Sequence, residues 1–364
     1  MSLLTCALGP DSAGTLLTAM LRDARSSIDA AVYEVGPSYA WVLAAAARDG
    51  VRVRLLLDDH PADGNASTAR DLVRRGGECR VLGGGAPSAH WKLLVVDGAM
   101  VAVGTGNLVW RDAPRDRHGR LPPQADALHG TREWWGWGAE APRLALQARH
   151  GFDTAWQRAK APADAWLAAP EASPGDVGAP RPQVAPLTLP VTRGGLRLVI
   201  GGLPVALTIG SLIRTARRRA LVTAPYIHPR AAGVRRLVAA LRAADSRGVD
   251  TRLLLGTRPE PADLVWLRAA GMTVRWMEAT RSTRGHAKGL IADDVAVITS
   301  ANWSSAGCGR NWEAALVARS TAAAAYYAAA WQRDWEAAVP PAARVWGVRS
   351  ADMLPAWSPW TSIP

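Results

Sequence analysis

The sequence predicts an α/β fold built from two pseudo-symmetric domains, each a mixed β-sheet flanked by helices. The first observation is the length of 364 residues, which fits two domains of ordinary size. The second is that short apolar segments, typical of buried strands, alternate with segments whose apolar residues recur at helical spacing. The third is that the second half of the chain repeats the order of these segments, which indicates a duplicated domain. Alternating strands and helices favour a sheet covered on both faces.

The first half is predicted to alternate helices and strands before it reaches a hairpin. The predicted segments are helix 11–25, strand 27–35, helix 38–49, strand 51–57, helix 66–75 and strand 79–82. A strand from His90 to Val96 then turns at Asp97 and Gly98 and returns from Met100 to Val103. A polar, Arg-rich loop at 112–131, a strand at 133–137 and a helix at 141–160 complete this half.

The second half repeats this pattern. Its predicted segments are strands 196–200, 221–226, 251–255 and 273–277, and helices 209–219, 231–246 and 262–270. Leu221 to Tyr226 matches the strand that ends at Tyr33, and Thr251 to Leu255 matches Val53 to Leu57. The similar spacing over so long a stretch predicts equivalent domains.

Composition sets the domain boundaries. Residues 162–190 are rich in Pro and Ala and have little periodicity, which is typical of a semi-rigid, extended linker. We therefore predict an N-terminal domain at 1–161 and a C-terminal domain at 191–339. Residues 340–364, rich in Pro and Trp, are predicted to form an extended tail that packs on the body through its indole rings.

One short motif occurs twice and contains residue types that are rare in this chain. His90, Lys92 and Asp97 are followed by Asn107, and the same order recurs in His286, Lys288, Asp293 and Asn302. The chain has three Lys against forty Arg and only four Asn, yet two Lys and two Asn stand in the repeated motif. Arg and Lys are not interchangeable where a compact point charge is needed, so these positions are predicted to take part in chemistry.

Charge and cysteine content narrow the possible partners. The formal net charge of +12 predicts attraction to anions, although solvated Arg side chains are the alternative. Three widely spaced Cys form no disulfide framework and no zinc motif. No apolar run is long enough to span a membrane, and the N-terminus has no basic segment typical of a signal peptide. We expect a cytoplasmic protein, or a secreted one if a signal peptide has been removed.

The two motifs resemble the paired HxKxxxxD motifs of the phospholipase D superfamily, and the flanking segments of both halves fit as well. The second hairpin is one residue shorter than the first, and Thr299 stands where the family usually has Gly. In nuclease-like members a Glu after the motif hydrogen-bonds the catalytic His. Glu313 and, after a basic insertion, Glu133 are similar to that Glu.

The resemblance implies a covalent mechanism at the domain interface. One of His90 and His286 attacks phosphorus and the other acts as general acid and base, with His90 favoured as nucleophile. Lys92, Lys288, Asn107 and Asn302 hold the non-bridging oxygens, and Glu133 and Glu313 set the tautomers. Asp97 and Asp293 are expected to order the hairpins. No metal and no cofactor is expected, because the Lys side chains supply the positive charge.

Other side chains near the motifs are candidates for substrate binding. Tyr33, Tyr226 and His228 lie at the ends of predicted strands, and Trp110, Trp303, Arg111 and Arg284 flank the motifs. Aromatic rings near a phosphate can stack on bases or sit at a lipid surface. The alternatives are core packing for the Trp rings and a solvated loop for the Arg side chains.

The sequence thus predicts a monomeric, metal-independent phosphodiesterase that cleaves nucleic acid, DNA or RNA, preferably single-stranded. The alternative is a phospholipase D or phosphatidyl transferase that acts on phospholipid headgroups, with an anionic membrane surface as partner. A catalytically silent binding module is disfavoured because both His and both Lys are intact.

Overall fold

The computed structural model describes most of the chain. The described residues are 1–60, 64–83, 87–114, 130–171, 184–192, 194–278 and 283–341, without the side chains of 283 and 284. Three predicted segments fall largely outside them: the Arg-rich part of the loop at 115–129, the middle of the linker at 172–183, and the tail from 342 onward.

The first half contains seven strands and four helices among the residues described. They are β1 (Ser2–Gly9), α1 (Ala13–Arg22), β2 (Ser27–Val32), α2 (Pro37–Arg48), β3 (Arg52–Asp58), α3 (Asn65–Arg74), β4 (Glu78–Leu82), β5 (Lys92–Val96), β6 (Met100–Gly104), β7 (Gly130–Ala139) and α4 (Pro142–Arg158). The short helix α5 (Asp164–Leu167) and strand β8 (Leu187–Val191) follow in the segment predicted as a linker.

The second half contains the remaining elements. They are β9 (Leu196–Ile200), α6 (Gly202–Thr215), β10 (Arg219–Ala224), α7 (Ala232–Asp245), β11 (Asp250–Leu255), α8 (Pro261–Ala269), β12 (Val274–Trp276), β13 (Thr283–Gly285), β14 (Gly289–Ala292), β15 (Val295–Thr299), β16 (Ala314–Arg319) and α9 (Thr321–Ala337).

The two sheets have the same strand order, which confirms the predicted duplication. The order β4-β3-β2-β5-β6-β7-β1 in the first sheet corresponds to β12-β11-β10-β14-β15-β16-β9 in the second. In both, the first three strands are parallel and every later neighbour is antiparallel. Each half is therefore a mixed sheet flanked by helices, as predicted.

Strands β1, β13 and β16 and helix α9 lie outside the segments predicted from the sequence, and two further elements differ from the sequence-based expectations. Helix α6 begins at Gly202 rather than at Ile209 and ends before the strand at Arg219. Gly201 adopts a φ of 99°, a backbone conformation that favours glycine, and Pro204 is tolerated in the first turn because the amides there have no intrahelical partner. The other element is β8, which pairs with β1 and so extends the first sheet with residues of the predicted linker.

The halves share one hydrophobic core. Two clusters lie within one half each, but a third contains buried side chains of both, including Trp134 of the first half and Leu221 of the second. Helix α9 packs into this shared core, where the Trp331 indole donates to the carbonyl of Val222 and the Tyr327 hydroxyl donates to that of Trp135. Strand β13 pairs with β7 of the first half.

A buried ion network also crosses between the halves. The Arg132 guanidinium lies 2.9 Å from an Asp11 oxygen and 3.0 Å from an Asp334 oxygen on α9. All three side chains are largely buried. Removing the Arg132 guanidinium would leave the buried carboxylates of Asp11 and Asp334 without their cation, which is strongly destabilising.

We therefore expect Arg132→Ala to lower the free energy of unfolding by about 3–5 kcal/mol. Urea unfolding followed by circular dichroism measures this loss. The matched control is Arg235→Ala, which removes an exposed Arg from α7 and should change the free energy by no more than about 0.5 kcal/mol. Equal midpoints for the Arg132 variant and the wild type would contradict the expectation.

Candidate active site

The topology of the first sheet brings its motif residues to one edge. Strands β5, β6 and β7 are antiparallel neighbours, so the start of β5, the end of β6 and the start of β7 lie side by side. His90 and Lys92 stand at the start of β5, Asn107 follows the end of β6, and Glu133 lies near the start of β7.

The second sheet repeats this arrangement with β14, β15 and β16. His286 and Lys288 precede β14, Asn302 follows β15, and Glu313 precedes β16. The two edges lie close together, because the Lys92 ammonium and the His90 ring of the first half both act electrostatically on the His286 ring of the second half. The motif residues of both halves therefore form one cluster at the interface.

Each histidine is held by the glutamate of the opposite half. His90 Nδ1 lies 3.0 and 3.1 Å from the two carboxylate oxygens of Glu313, and His286 Nδ1 lies 2.5 Å from Glu133 Oε1. Sequence spacing associates each Glu with the motif before it, but the structure pairs it with the other motif. An Nδ1–H donated to a carboxylate leaves the Nε2 lone pair of each ring free for chemistry.

A hydroxyl group fixes each of these glutamates. Thr105 Oγ1 donates to Glu133, and Ser300 Oγ at the equivalent position donates to Glu313. Each hydroxyl in turn accepts a backbone N–H, at 2.9 Å from Trp134 and 3.0 Å from the residue after Glu313. Both carboxylates are fully buried, so the rings they orient are held on rigid supports.

Burial governs the titration of the His–Glu pairs. It lowers the pKa of His90 against the opposing effect of Glu313, and it lowers the pKa of His286 well below its usual range, with Lys288 adding to the effect. Burial raises the pKa of Glu133. It also opposes ionisation of Glu313, but the His90 ring and Lys92 outweigh it and lower that pKa. Burial therefore favours the neutral form of both rings.

The two lysines are fully buried at the centre of the site. Lys92 Nζ donates to the carbonyl of His90 at 2.7 Å, and Lys288 Nζ donates to the carbonyls of His286 at 2.7 Å and Thr105 at 3.0 Å. Lys288 Nζ also lies 2.9 Å from His286 Nε2. Burial lowers the pKa of Lys92 to about 8 and that of Lys288 to about 7.

These values predict loss of kcat/KM on the alkaline side. A lysine is charged below its pKa and neutral above it, so binding of an anion should weaken as pH rises through about 7 for Lys288 and about 8 for Lys92. Lys288→Arg should remove the limb near pH 7, because a guanidinium keeps its proton. Lys160→Arg, at the exposed third lysine, should leave the profile unchanged. A profile that stays flat to pH 9 would contradict this assignment.

Both motif asparagines present an unpaired amide oxygen. Oδ1 of Asn107 and Oδ1 of Asn302 are buried and have no hydrogen-bond partner in the described part of the chain. The side chains are each 8% exposed. A buried polar atom without a partner is unusual, and an amide oxygen can be satisfied only by a group that carries an N–H or O–H. The oxygens of a phosphodiester carry none, so they would accept from the amide N–H of each Asn instead.

The motif aspartates lie at the far ends of the hairpins, away from the histidines. Asp97 accepts the backbone N–H groups of Arg25, Ser26 and Ser27 at 2.7–3.1 Å. Asp293 accepts the three equivalent N–H groups before β10, those of residues 217–219, at 2.8–3.1 Å. These contacts tie each hairpin to the strand beside it.

Aromatic rings from both halves border the histidines. The Tyr33 ring lies 5.3 Å from the His90 ring and stacks on the exposed His60 at 5.7 Å. The Tyr226 ring lies 5.0 Å from the exposed His228, and the Asn302 side-chain amide N–H donates to the Tyr226 oxygen. Burial raises the pKa of Tyr33 to about 12, and nearby acidic side chains, among them Asp58, Glu34 and Asp59, raise it further. The border of the site therefore combines aromatic and acidic groups.

The other predicted substrate residues lie in different environments. Trp303 is only 2% exposed and packs in the core of the second half, so the structure does not bring its ring to the site as we predicted. Arg111 is exposed beside the partly buried Trp110. The backbone of Arg284 pairs with β7, but its side chain lies outside the description.

Two carboxylates in the site were missed by the sequence analysis. Asp58 accepts the Ser88 hydroxyl and the Ala89 N–H, at 2.8 and 2.6 Å, and so anchors the segment that precedes His90. Asp112 is 4% exposed and lies beside Glu133 and His286. Its position within the predicted polar loop gave no signal, because only the fold turns this end of the loop inward.

Asp112, Glu133 and His286 offer ligand atoms within 4.8 Å of one another, which is a possible metal-binding arrangement. The carboxylate oxygens, however, already accept hydrogen bonds from side chains or backbone, including His286 Nδ1. A cation would have to displace these donors, so the donor set fits a hydrogen-bonded cluster better than a metal centre.

The sequence matches the model of a known protein family. A family model described as the PLD-like domain of cardiolipin synthase matches residues 17–117 and 209–335, more than half of the chain. The chain belongs to the phospholipase D superfamily. Members of this superfamily are phosphodiesterases and phosphotransferases. The two matched segments carry both motifs and both interface histidines.

Solved structures of the phospholipase D fold agree with the observed architecture. Phosphatidylserine synthase of Haemophilus influenzae Rd KW20 superposes with a TM-score of 0.60 at 13% identity, over 92% of this chain and 87% of that one. Polyphosphate kinase of Porphyromonas gingivalis gives a TM-score of 0.58 at 13% identity over 91% of this chain, which spans 50% of the kinase. Nuc of Salmonella typhimurium is 21% identical over 40% of this chain and 97% of its own, with a TM-score of 0.34. No curated protein has a similar sequence.

Proposed function

We propose that this protein is a phosphodiesterase that cleaves nucleic acid through a covalent phosphohistidine on His90. The observation that carries the proposal is the pair of interface histidines, each with Nδ1 bound to a buried glutamate of the other half. Neutral imidazole attacks phosphorus without adding negative charge, which suits an anionic diester.

The reaction proceeds in two displacements. His90 Nε2 forms the bond to phosphorus while the bond to the leaving oxygen breaks, and His286 gives that oxygen a proton. Water then attacks phosphorus, the bond between phosphorus and His90 Nε2 breaks, and His286 takes the proton from the water. Lys92 and Lys288 stabilise the charge on the non-bridging oxygens, with Asn107 and Asn302 beside them. No metal ion takes part, because the two ammonium groups supply the positive charge.

Nucleic acid is the substrate class supported by the charge and the aromatic border. A net charge of +12 attracts a polyanion, and exposed rings such as Tyr226 offer faces on which unpaired bases stack. Single strands expose those bases, so we propose a preference for them. The acidic groups near Tyr33 reduce the attraction locally.

Lipid headgroups are the second candidate. Two observations favour them: the matching family model is described as cardiolipin synthase, and the phosphatidylserine synthase fold covers nearly the whole chain. No helix in the described parts is long and apolar enough to cross a membrane. A lipid substrate would therefore be reached from the surface of a bilayer.

A substrate panel in the presence of EDTA decides between the two. Labelled single-stranded DNA, duplex DNA, RNA and phosphatidylcholine vesicles are each incubated with the wild type, His90→Ala and His150→Ala. We expect cleavage of single-stranded nucleic acid that His90→Ala abolishes and His150→Ala, at an exposed His on α4, leaves intact. Headgroup release without cleavage of nucleic acid would rule out the proposed substrate. Activity only without EDTA would contradict the mechanism.

A further inference from the structure

The pseudo-symmetry of the site fails beside the two glutamates. Next to Glu313 lies Asn311, whose amide donates to Glu313 Oε1 at 3.3 Å. Next to Glu133 lies a second carboxylate, Asp112, and the Thr131 hydroxyl stands between them at 2.8 Å from Asp112 and 3.1 Å from Glu133. His286 therefore faces two carboxylates, whereas the glutamate that holds His90 has an amide as its neighbour.

Hydrogen-bond donors hold both oxygens of Asp112. One oxygen accepts the backbone N–H of Asn107 at 2.8 Å and the other accepts the Thr131 hydroxyl, so both act as acceptors. The carboxylate is 4% exposed and lies within 4.8 Å of His286 and Glu133. A carboxylate so close to an imidazole favours the protonated ring.

Asp112 also changes the charge of the buried site. Lys92 and Lys288 contribute two positive charges, and Glu133 and Glu313 contribute two negative ones. Asp112 adds a negative charge on the His286 side, as Asp58 does near Lys92, and a diester adds one more while both rings are neutral. Because an uncompensated buried charge is costly, the site gains stability by taking up a proton when the diester binds.

We propose that Asp112 couples diester binding to the uptake of one proton and places that proton on His286. The inference rests on the diester chemistry proposed above. The other groups that face His286 are Glu133 on β7, Lys288 before β14, Lys92 at the start of β5, and His90. In the free protein, burial and Lys288 lower the pKa of His286, and the Asp112 carboxylate raises it. The diester forms ion pairs with the Lys92 and Lys288 ammonium groups and adds a negative charge to the site. The His286 ring therefore takes a proton from solvent. That proton is the one given to the leaving oxygen.

Asp112 is thus a positioning residue that acts through His286. It distinguishes the two histidines: the ring beside two carboxylates becomes the acid, and His90 stays neutral as the nucleophile. No imidazolium is buried in the free protein, because His286 takes up its proton only when the substrate binds.

Proton uptake can be measured without turnover. Isothermal titration calorimetry with dimethyl phosphate, in two buffers of different ionisation enthalpy at pH 6.0, gives the number of protons bound. At this pH Lys288 and Lys92, with pKa values of about 7 and about 8, already carry their protons, so uptake reports on the rings. We expect nearly one proton for the wild type and His90→Asn, and nearly none for Asp112→Asn and His286→Asn. One proton per ligand also makes the affinity fall about tenfold per pH unit above the pKa of the free ring.

Matched variants test the role of the carboxylate. Asp23→Asn removes the same charge from an exposed site at the end of α1 and should keep the wild-type uptake. Asn311→Asp adds a carboxylate beside Glu313 and should add uptake that His90→Asn removes, which tests the same principle even if Asp112→Asn does not fold. The inference is overturned if the wild type takes up no proton, if Asp112→Asn takes up as many as the wild type, or if uptake is lost only in His90→Asn. Wild-type hydrolysis of bis(p-nitrophenyl) phosphate, measured in parallel, shows separately whether the proposed diester chemistry fails.

Discussion

Replacing His90 with Asn is expected to lower kcat/KM for a phosphodiester by about 10⁴-fold or more, because it removes the nucleophile of the covalent route. Asn keeps a polar side chain of similar size, and the site keeps Lys92 and both asparagines. Binding of the anion should therefore survive while chemistry is lost. The measurement is kcat/KM for bis(p-nitrophenyl) phosphate together with the affinity for dimethyl phosphate.

The equivalent change at the other histidine should have a different signature. His286→Asn removes the general acid and base, which contributes about 10²–10⁴-fold. A p-nitrophenolate leaving group needs little protonation, so the first displacement should continue and the phosphohistidine should accumulate. Mass spectrometry of the intact protein should then find the added p-nitrophenyl phosphoryl group in His286→Asn and not in His90→Asn.

The control for both variants is His150→Asn at an exposed position of α4, where kcat/KM should equal that of the wild type. A covalent adduct in His90→Asn but not in His286→Asn would reverse the roles that we assign to the histidines. Loss of dimethyl phosphate binding in His90→Asn would show that the ring serves binding instead.

Replacing Glu313 with Gln is expected to lower kcat/KM by about 10²-fold through the histidine of the other half. Gln retains the shape of Glu313 but loses the charge that holds Nδ1–H of His90, 3.0 Å away. Glu133→Gln should have a similar effect through His286. Proton NMR gives a direct reading, since each Nδ1–H bound to a carboxylate resonates at low field. Glu313→Gln should remove the His90 signal and leave the His286 signal in place.

Double-mutant cycles test the exchange between the halves. In the His90→Asn background, Glu313→Gln should cost almost nothing further, because the ring that it orients is gone. In the His286→Asn background, Glu313→Gln should lower the rate of phosphohistidine formation by the same factor as in the wild-type background. The opposite result would mean that each Glu serves its own motif. The exposed Glu336→Gln, on α9, is the matched control for the loss of a carboxylate.

The duplication was readable from the sequence because a strand and an amphipathic helix impose their own periodicities on the residues. The repeated order of these segments predicted two sheets, and the observed sheets share one strand order. The limits of single elements were less predictable. Helix α6 starts seven residues early because Gly201 and Pro204, which resemble breakers in sequence, are compatible with its first turn. Strand β8 forms because β1 leaves an edge for it, and an edge is a property of the folded sheet.

The repeated motif also identified the residues of the candidate site, since Lys and Asn are rare in this chain and both recur at matched spacing. Trp303 shows where such reasoning fails. Proximity to the motif in sequence suggested a place in the site, but the ring is buried in the hydrophobic cluster of the second half. The direction of a side chain outside regular structure depends on packing that spacing does not encode.

By itself the sequence determined that two equivalent halves exist, that each supplies a His, a Lys and an Asn, and that a Glu follows each set. Only the tertiary structure decided that each Glu serves the His of the other half, and that Asp112 joins one side of the site without a counterpart. The physical reason is that hydrogen bonds form between atoms that are close in space. The shared core, the Arg132 network and the pairing of β13 with β7 set the distances across the interface, and none of them follows from spacing along one chain.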